Sequence, residues 1–208
     1  MIAARLLVLL LFALIIVDAV QVETAWQDAG VKNGVTLSFR DDPRLNARQV
    51  RAVAELSHAP DQIIDVVCDF TQLLDPDTRE SRVLAGDIGA DYEIYLRYAP
   101  RYMVVAARDV VLSVQAEDNG CAWSEIAGRL PPQPGAVRMP LLRGSWSVEP
   151  IDASRSRVTY QIAVRPGGSI PGWMVRRGAV SALPQIIDRV ARCVSSLPDR
   201  GDGRCPKP

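Results

Sequence analysis

Apolar and polar residues alternate along much of the chain, and this alternation predicts a protein built mainly from β-strands. Between Val50 and Leu56 every second residue is apolar, which is the pattern of a strand with one buried face. The same pattern recurs between Ser81 and Val164. The predicted strands are 35–40, 50–56, 82–87, 92–98, 109–116, 121–128, 137–148 with a bend, and 157–164.

Turn-forming residues separate the later strands and predict how those strands pair. The clearest signal is Asn119-Gly120, a dipeptide that suits the centre of a two-residue hairpin turn. Further turn sequences lie at 86–89 and 152–154. Because a run of hairpins builds an antiparallel sheet, we predict antiparallel pairing.

A helix is predicted between the early and the late strands. Pro60 and Asp61 suit a helix start, since proline fits the first helical position and a carboxylate fits the N-terminal dipole. Apolar residues three and four positions apart then run from Ile63 to Leu74. The turn residues at 75–77 end this helix.

A long C-terminal helix is predicted after Pro171, and a short one at 24–29 with Trp26 as its anchor. Pro184 lies within the long pattern and is expected to kink the helix or split it in two. The apolar face of the long helix consists of Val180, Leu183, Ile187, Val190, Val194 and Leu197.

These elements predict an α+β fold in which a curved antiparallel sheet wraps around the long C-terminal helix. Such a sheet does not easily fill its own interior, and apolar pockets of roughly 300–1,000 Å³ are typical ligand sites. Aromatic residues make up only 6% of the chain, while Val, Ile, Leu and Ala are plentiful. An internal cavity lined by such residues favours a lipid-like guest.

The first 19 residues have the features of a secretory signal peptide. Arg5 precedes an apolar run at 6–17, which is shorter than the roughly 20 residues of a membrane-spanning helix. Val17-Asp18-Ala19 offers a small-residue cleavage site, so we expect removal of 1–19, one domain at 20–198 and a tail at 199–208. The expected location is periplasmic or secreted; a short uncleaved anchor is the alternative.

Charge and cysteine usage narrow the partners. Lys plus Arg and Asp plus Glu number 24 each, so the overall charge of the chain gives no electrostatic reason to bind nucleic acid or an anionic membrane surface. Export permits disulfides. We favour a bond between Cys193 and Cys205, which would fasten the tail to the last helix. The residues leave open whether Cys68 and Cys121 pair or remain buried thiols.

The chain offers little catalytic chemistry. His58 is the only histidine, and its surroundings do not resemble a nucleophile elbow. The neighbouring carboxylates Asp41 and Asp42 lie in a turn-rich segment, which gives no support to glycosidase chemistry. No Cys or His spacing predicts a metal site. We therefore predict a non-enzymatic protein without cofactor or metal. We also expect a monomer.

Short motifs follow one another in a characteristic order over almost the whole of 26–173. They are Trp26 with Gly30-Val31 and Gly34-Val35, Ser57-His58-Ala59-Pro60-Asp61, Val66-Val67-Cys68-Asp69, Ile94-Tyr95-Leu96, Arg108-Asp109-Val110-Val111-Leu112, Gly144-Ser145-Trp146-Ser147-Val148-Glu149-Pro150, Val158-Thr159-Tyr160 and Pro166-Gly167-Gly168-Ser169-Ile170-Pro171-Gly172-Trp173.

In this order the motifs resemble START-like lipid-binding domains of the helix-grip (SRPBCC) superfamily, in particular small exported bacterial members. The resemblance implies an apolar tunnel between sheet and helix that binds a lipid or other hydrophobic molecule. The segment at 100–105 is longer than the corresponding turn of those proteins. That difference leaves open whether Glu93 is a buried carboxylate.

The resemblance and the strand phase together give a set of candidate ligand-binding residues. Arg108 could reach a polar head group, although holding loop backbone is the plainer role; it should face away from Asp109. Trp173 could belong to a gate at the start of the last helix. The candidates are Tyr95, Arg108, Leu112, Val114, Trp146, Tyr160, Trp173 and Leu183.

The expected function is binding or carriage of a hydrophobic molecule, with transient membrane contact as a further expectation. Two alternatives share the fold: a cyclase/aromatase-type enzyme, and an interaction protein whose cavity is filled by its own side chains. The inward candidates Val110, Leu112, Val114, Val158 and Ile162 are apolar, which favours binding over catalysis.

Overall fold

The computed structural model describes residues 24–72, 75–100, 105–197 and Cys205. The predicted signal peptide at 1–19 and nearly all of the tail at 199–208 lie outside the described residues. The described residues form ten strands and two helices. In chain order they are β1 (Gln27–Lys32), β2 (Val35–Asp42), β3 (Ala47–Leu56), α1 (Pro60–Val67), β4 (Thr78–Gly86), β5 (Tyr92–Tyr98), β6 (Ala107–Glu117), β7 (Gly120–Glu125), β8 (Ala136–Arg138), β9 (Leu141–Asp152), β10 (Arg155–Arg165) and α2 (Gly172–Ser196).

The strands form one curved sheet in the order β1-β2-β3-β10-β9-β7-β6-β5-β4. Every pairing along this path is antiparallel, as predicted, while the short β8 adds to β6 in parallel. The long helix α2 packs against β2, β3 and α1. The predicted α+β helix-grip architecture is therefore confirmed.

The alternating apolar residues form the core between the sheet and α2. Val148 and Val158 are partners across β9 and β10 and are 1% and 0% exposed. From the helix side, Leu183 and Ile187 are buried in the same core. Pro184 lies inside α2 without splitting it, since the helix is continuous from 172 to 196. Crossing a bilayer would take a longer or more apolar helix than either of the two described ones.

Helix α1 ends seven residues earlier than its apolar stripe predicts. The prediction of helix through Leu74 is wrong because the backbone beyond Cys68 bonds to other partners. The Phe70 N–H donates to the hydroxyl of Tyr92 at 3.1 Å, and the Thr71 N–H donates to the Asp69 carboxylate at 2.9 Å. Such an aspartate turn competes with the helical hydrogen-bond ladder.

The N-terminal segment is a strand instead of the predicted short helix. β1 pairs with β2, and a bulge lies between Asp28 and Gly30. All six residues of β1 are exposed. The strand has no buried face and is held in the sheet only by backbone pairing at the edge. Trp26 does anchor the segment: its ring lies 4.7 Å and 4.3 Å from the guanidinium carbons of Arg40 and Arg51.

Two disulfides fasten the ends of the helices. Cys193 pairs with Cys205, which confirms the favoured pairing, and Cys68 pairs with Cys121, which answers the open question. The first of these bonds joins α2 to the tail and the second joins the end of α1 to β7. The Cys205 N–H also donates to Oε1 of Gln72 at 3.2 Å, which places this part of the tail beside the segment that follows α1.

Candidate functional site

An internal cavity of about 420 Å³ lies between the sheet and α2. Most of its lining is apolar, and its charged lining residues are Asp75, Asp77, Arg108 and Arg189. This finding confirms the predicted internal apolar cavity. The apolar and aromatic part of the lining includes Val67, Phe70, Leu96, Tyr98, Ala99, Val105, Trp123, Met139, Leu142, Trp146, Tyr160, Ile162, Val164, Pro166, Ile170 and Ile186.

Four aromatic rings form one wall of the cavity. Trp146 and Tyr160 are cross-strand partners in β9 and β10, with ring centroids 4.2 Å apart. Trp123 stacks on Tyr160 at 5.9 Å, and Phe70 meets Trp123 edge to face at 5.1 Å. Contacts in this range are favourable aromatic geometries. The four rings therefore form one continuous, mostly apolar wall.

Gly144 leaves the space that Trp123 occupies. The two residues are partners across β7 and β9, so a side chain at 144 would point to the same side of the sheet as the indole. A Cβ atom at Gly144 would lie 2.5 Å from Cζ2 of Trp123. It would also lie 2.2 Å from the Gln161 carbonyl oxygen, so the glycine admits both the large ring and the neighbouring strand.

Arg108 lies where β6 begins and is only 7% exposed. Its Nε donates to the Pro166 carbonyl at 3.4 Å and its Nη2 to the Gly167 carbonyl at 3.3 Å; its Nη1 donates to the Ala106 carbonyl. No carboxylate of the described residues forms an ion pair with it, and burial lowers the pKa of this guanidinium. Arg108 ties the loop before α2 to β6 and also lines the cavity.

Asp109 points to the other side of the sheet, so Arg108 and Asp109 face opposite ways as predicted. Its carboxylate is 0% exposed and accepts from Nε and Nη2 of Arg138 at 2.8 Å and 3.0 Å. The Tyr95 hydroxyl donates to the same carboxylate at 3.4 Å. Arg138 in turn donates to the Leu130 and Pro131 carbonyls. This buried ion pair holds the loop at 126–139 over the outer face.

Three of the eight candidate ligand-binding residues line the cavity. Arg108, Trp146 and Tyr160 come together there because their strands are neighbours and their side chains share the inward phase. Ligand contact by these three residues stays a prediction.

The other five candidates lie outside the lining. Leu112, Val114 and Leu183 are 0% exposed within the packed core, where neighbouring side chains fill the space around them. In β5 the even-numbered side chains point inward, so the odd-numbered Tyr95 lies on the outer face with Asp109. Trp173 is 60% exposed on the surface at the start of α2.

The outer phase of β5 also answers the question about Glu93. Its carboxylate pairs with Arg129 and is 29% exposed. Glu93 is therefore a partly exposed outer residue and is absent from the cavity lining.

Sequence reasoning missed three aromatic residues of the lining. Tyr98 and Trp123 follow the inward phase of strands that were recognised, so the period of two would have found them. Phe70 was assigned to the stripe of a helix that ends before it. Its place in the wall depends on the hydrogen bond from its N–H to Tyr92, for which the sequence carries no local signal.

Solved structures similar to this one support the same fold. A STAR-related lipid transfer protein from Xanthomonas axonopodis is 27% identical, with a TM-score of 0.70 over 82% of this chain and 98% of that one. Human STARD10 is 17% identical, with a TM-score of 0.73 over 84% of this chain and 74% of that one. Human StAR-related lipid transfer protein 5 is 14% identical, with a TM-score of 0.70 over 93% and 94%. The chain has a START-like helix-grip fold.

Sequence similarity to a curated protein covers less of the chain than the structural similarity does. The uncharacterized protein PA1579 of Pseudomonas aeruginosa is 35% identical over 83 residues, which cover 38% of this chain and 41% of that protein. The chain thus matches about two fifths of the length of this relative. No protein-family model matches the chain.

Proposed function

We propose that this protein binds or carries a lipid or another hydrophobic small molecule in its internal cavity, without catalysis. The observation that carries the proposal is the cavity itself, with about 420 Å³ of space behind a mostly apolar and aromatic lining. A cavity of this size and character is typical of a ligand site. The lipid transfer proteins among the similar structures lend support to the same proposal.

Protein purified from its own host should carry a hydrophobic molecule that native mass spectrometry detects. Added ligand should raise the melting temperature by about 5–10 °C at 100 times its dissociation constant, since binding then adds about 2.7 kcal/mol to the free energy of unfolding. Val164→Phe fills part of the cavity and should reduce the shift, whereas Val31→Phe on the exposed strand β1 should not. The proposal would be refuted if the purified protein carried no hydrophobic molecule and if fatty acids, phospholipids and sterols all left its melting temperature unchanged.

We also propose transient contact with an anionic membrane surface at the start of α2. Trp173 and Met174 are 60% and 40% exposed there, and the exposed Arg176 and Arg177 follow after Val175. Apolar side chains beside basic ones suit the interface of anionic lipids. The preceding Ile170 lines the cavity, so a membrane bound at this place would lie next to a route for ligand entry.

Replacing both Trp173 and Met174 with Ser is expected to lower binding to phosphatidylglycerol-containing vesicles by about tenfold, because two partly exposed apolar side chains no longer enter the interface. Vesicle flotation measures this binding. Val31→Ser removes a 70% exposed side chain from β1 and serves as the control. Equal loss in the control and the double variant would argue against a specific contact.

Export to an oxidising compartment is the third part of the proposal. Two disulfides within the described residues support it, because such bonds are rare in reducing compartments. A mature protein that begins at Val20 in mass spectrometry of host material would agree with cleavage after Ala19; a full-length cytoplasmic protein with free thiols would contradict it.

A further inference from the structure

Two tyrosine hydroxyls in the cavity have no hydrogen-bond partner among the described residues. Tyr98 and Tyr160 both line the cavity, and Tyr160 is 94% buried, with 6% of its surface exposed. Neither hydroxyl forms a hydrogen bond with a described residue. Since no fully buried side-chain oxygen or nitrogen in the described residues lacks a partner, both hydroxyls must border the open space of the cavity.

The hydroxyls remain neutral hydrogen-bond donors. Burial raises the pKa of Tyr98 well above its usual range, and the nearby Asp75 carboxylate raises it further. The pKa of Tyr160 is raised in the same direction, by burial first and then by Tyr98 and Asp75. A donor that is cut off from water and given no acceptor is costly, so a ligand that fills this apolar space must supply an oxygen to these groups or leave them unpaired.

The cavity volume sets how much of that ligand can be enclosed. At about 30 Å³ for each water-sized group, 420 Å³ holds about 14 non-hydrogen groups. A single alkyl chain of medium length or a compact ring system fits within this limit. A diacyl phospholipid has several times as many non-hydrogen atoms.

Arg108 is a less suitable recognition group than the hydroxyls. Its guanidinium already donates to three backbone carbonyls at the loop before α2. The tyrosine hydroxyls have no such role in holding the backbone. The aromatic wall of Phe70, Trp123, Trp146 and Tyr160 suits a ligand body without charge.

We propose that the cavity selects a single-chain or compact-ring hydrophobic molecule with one uncharged oxygen acceptor, a ketone, ester or quinone carbonyl, held by the hydroxyls of Tyr98 and Tyr160. This inference rests on the proposed function and specifies its ligand class. It assigns Tyr98 and Tyr160 as specificity-determining residues, whereas the shape of the aromatic wall provides affinity for any apolar body.

Paired probes separate the contribution of the hydroxyls from that of the apolar lining. The probes are 2-tridecanone, tridecane, tridecanoate and dilauroylphosphatidylcholine, titrated into the disulfide-bonded protein while quenching of tryptophan fluorescence is followed. The ketone should bind about tenfold more tightly than the alkane. Tyr160→Phe and Tyr98→Phe should each weaken ketone binding about three- to tenfold, whereas alkane binding should not weaken, because an alkane makes no hydrogen bond to either hydroxyl.

Tyr95→Phe is the matched control, because it removes a hydroxyl from the outer face of the same strand as Tyr98. It should leave all four affinities unchanged, and thermal melting shows that each variant is folded. Equal binding of ketone and alkane, or ketone binding that survives both substitutions, would overturn the inference.

Other outcomes overturn the inference but leave the proposed function standing. One is tighter binding of tridecanoate than of the ketone, lost in Arg108→Met, which would make the guanidinium the recognition group. Another is tight binding of dilauroylphosphatidylcholine alone. If none of the four probes binds and the host protein carries no hydrophobic molecule, the inference and the proposed function fail together.

Discussion

Replacing Leu183 with Asp is expected to unfold the domain. The side chain is 0% exposed, in the core between α2 and the inward face of the sheet. An unpaired buried carboxylate costs several kcal/mol, and loss of the packed leucine side chain adds about 2–5 kcal/mol. Their sum is comparable with a typical free energy of unfolding of about 5–15 kcal/mol. Near-ultraviolet circular dichroism and thermal melting should show no cooperative transition.

The neighbouring position provides the control for this experiment. Ala182 is exposed on the other side of the same helix turn, so Ala182→Asp should cost less than about 1 kcal/mol, chiefly through helix propensity. Ile187→Asp, one turn further along the buried face, should behave like Leu183→Asp. If Leu183→Asp melted like the control, the inward assignment of this helix face would be wrong.

Most of the sheet could be predicted because its strands have one buried face. β5 was predicted with both ends correct. A hairpin joins β6 to β7 as expected, although its two connecting residues are Asp118 and Asn119 and Gly120 already belongs to β7. Alternation is a direct consequence of burial on one side, so it is readable without knowledge of the partner strands. The apolar face of α2 could be predicted for the same reason, because burial of one helix face places apolar residues three and four positions apart.

The errors lie where contacts distant in sequence decide the local structure. β1 has no buried face at all, and only pairing with β2 makes it a strand. The end of α1 depends on a hydrogen bond from Phe70 to Tyr92, 22 residues away. The single strand predicted at 137–148 divides into β8 and β9 on either side of Met139-Pro140, and Pro140 has no N–H to donate to a neighbouring strand.

The candidate site was predictable in its residue types and less so in its geometry. Trp146 and Tyr160 were recognised as inward residues, but their 4.2 Å contact depends on the register of β9 and β10. Arg108 lies beside Pro166 and Gly167, which are 58 and 59 positions away in the sequence. Strand phase gives the side of the sheet, and only the register and the loops decide which inward residues surround open space and which are packed.

Asp109→Asn is expected to lower the free energy of unfolding by about 3–5 kcal/mol. The substitution keeps the size of the side chain but removes the charge that Arg138 pairs with at 2.8 Å and 3.0 Å. Because Asp109 is fully buried, the change leaves an uncompensated guanidinium in a poorly solvated place. Urea unfolding followed by fluorescence measures the loss. Removing both partners in Asp109→Asn/Arg138→Met should recover part of it, since no unpaired charge then remains.

The pair of Asp41 and Arg48 provides a control with the same geometry and different burial. Arg48 donates to both oxygens of Asp41 at 2.8 Å and 2.9 Å, but this carboxylate is 59% exposed. Asp41→Asn should therefore cost less than about 1 kcal/mol, as exposed ion pairs do. Similar losses in the two variants would contradict the expectation that burial decides the cost of breaking such a pair.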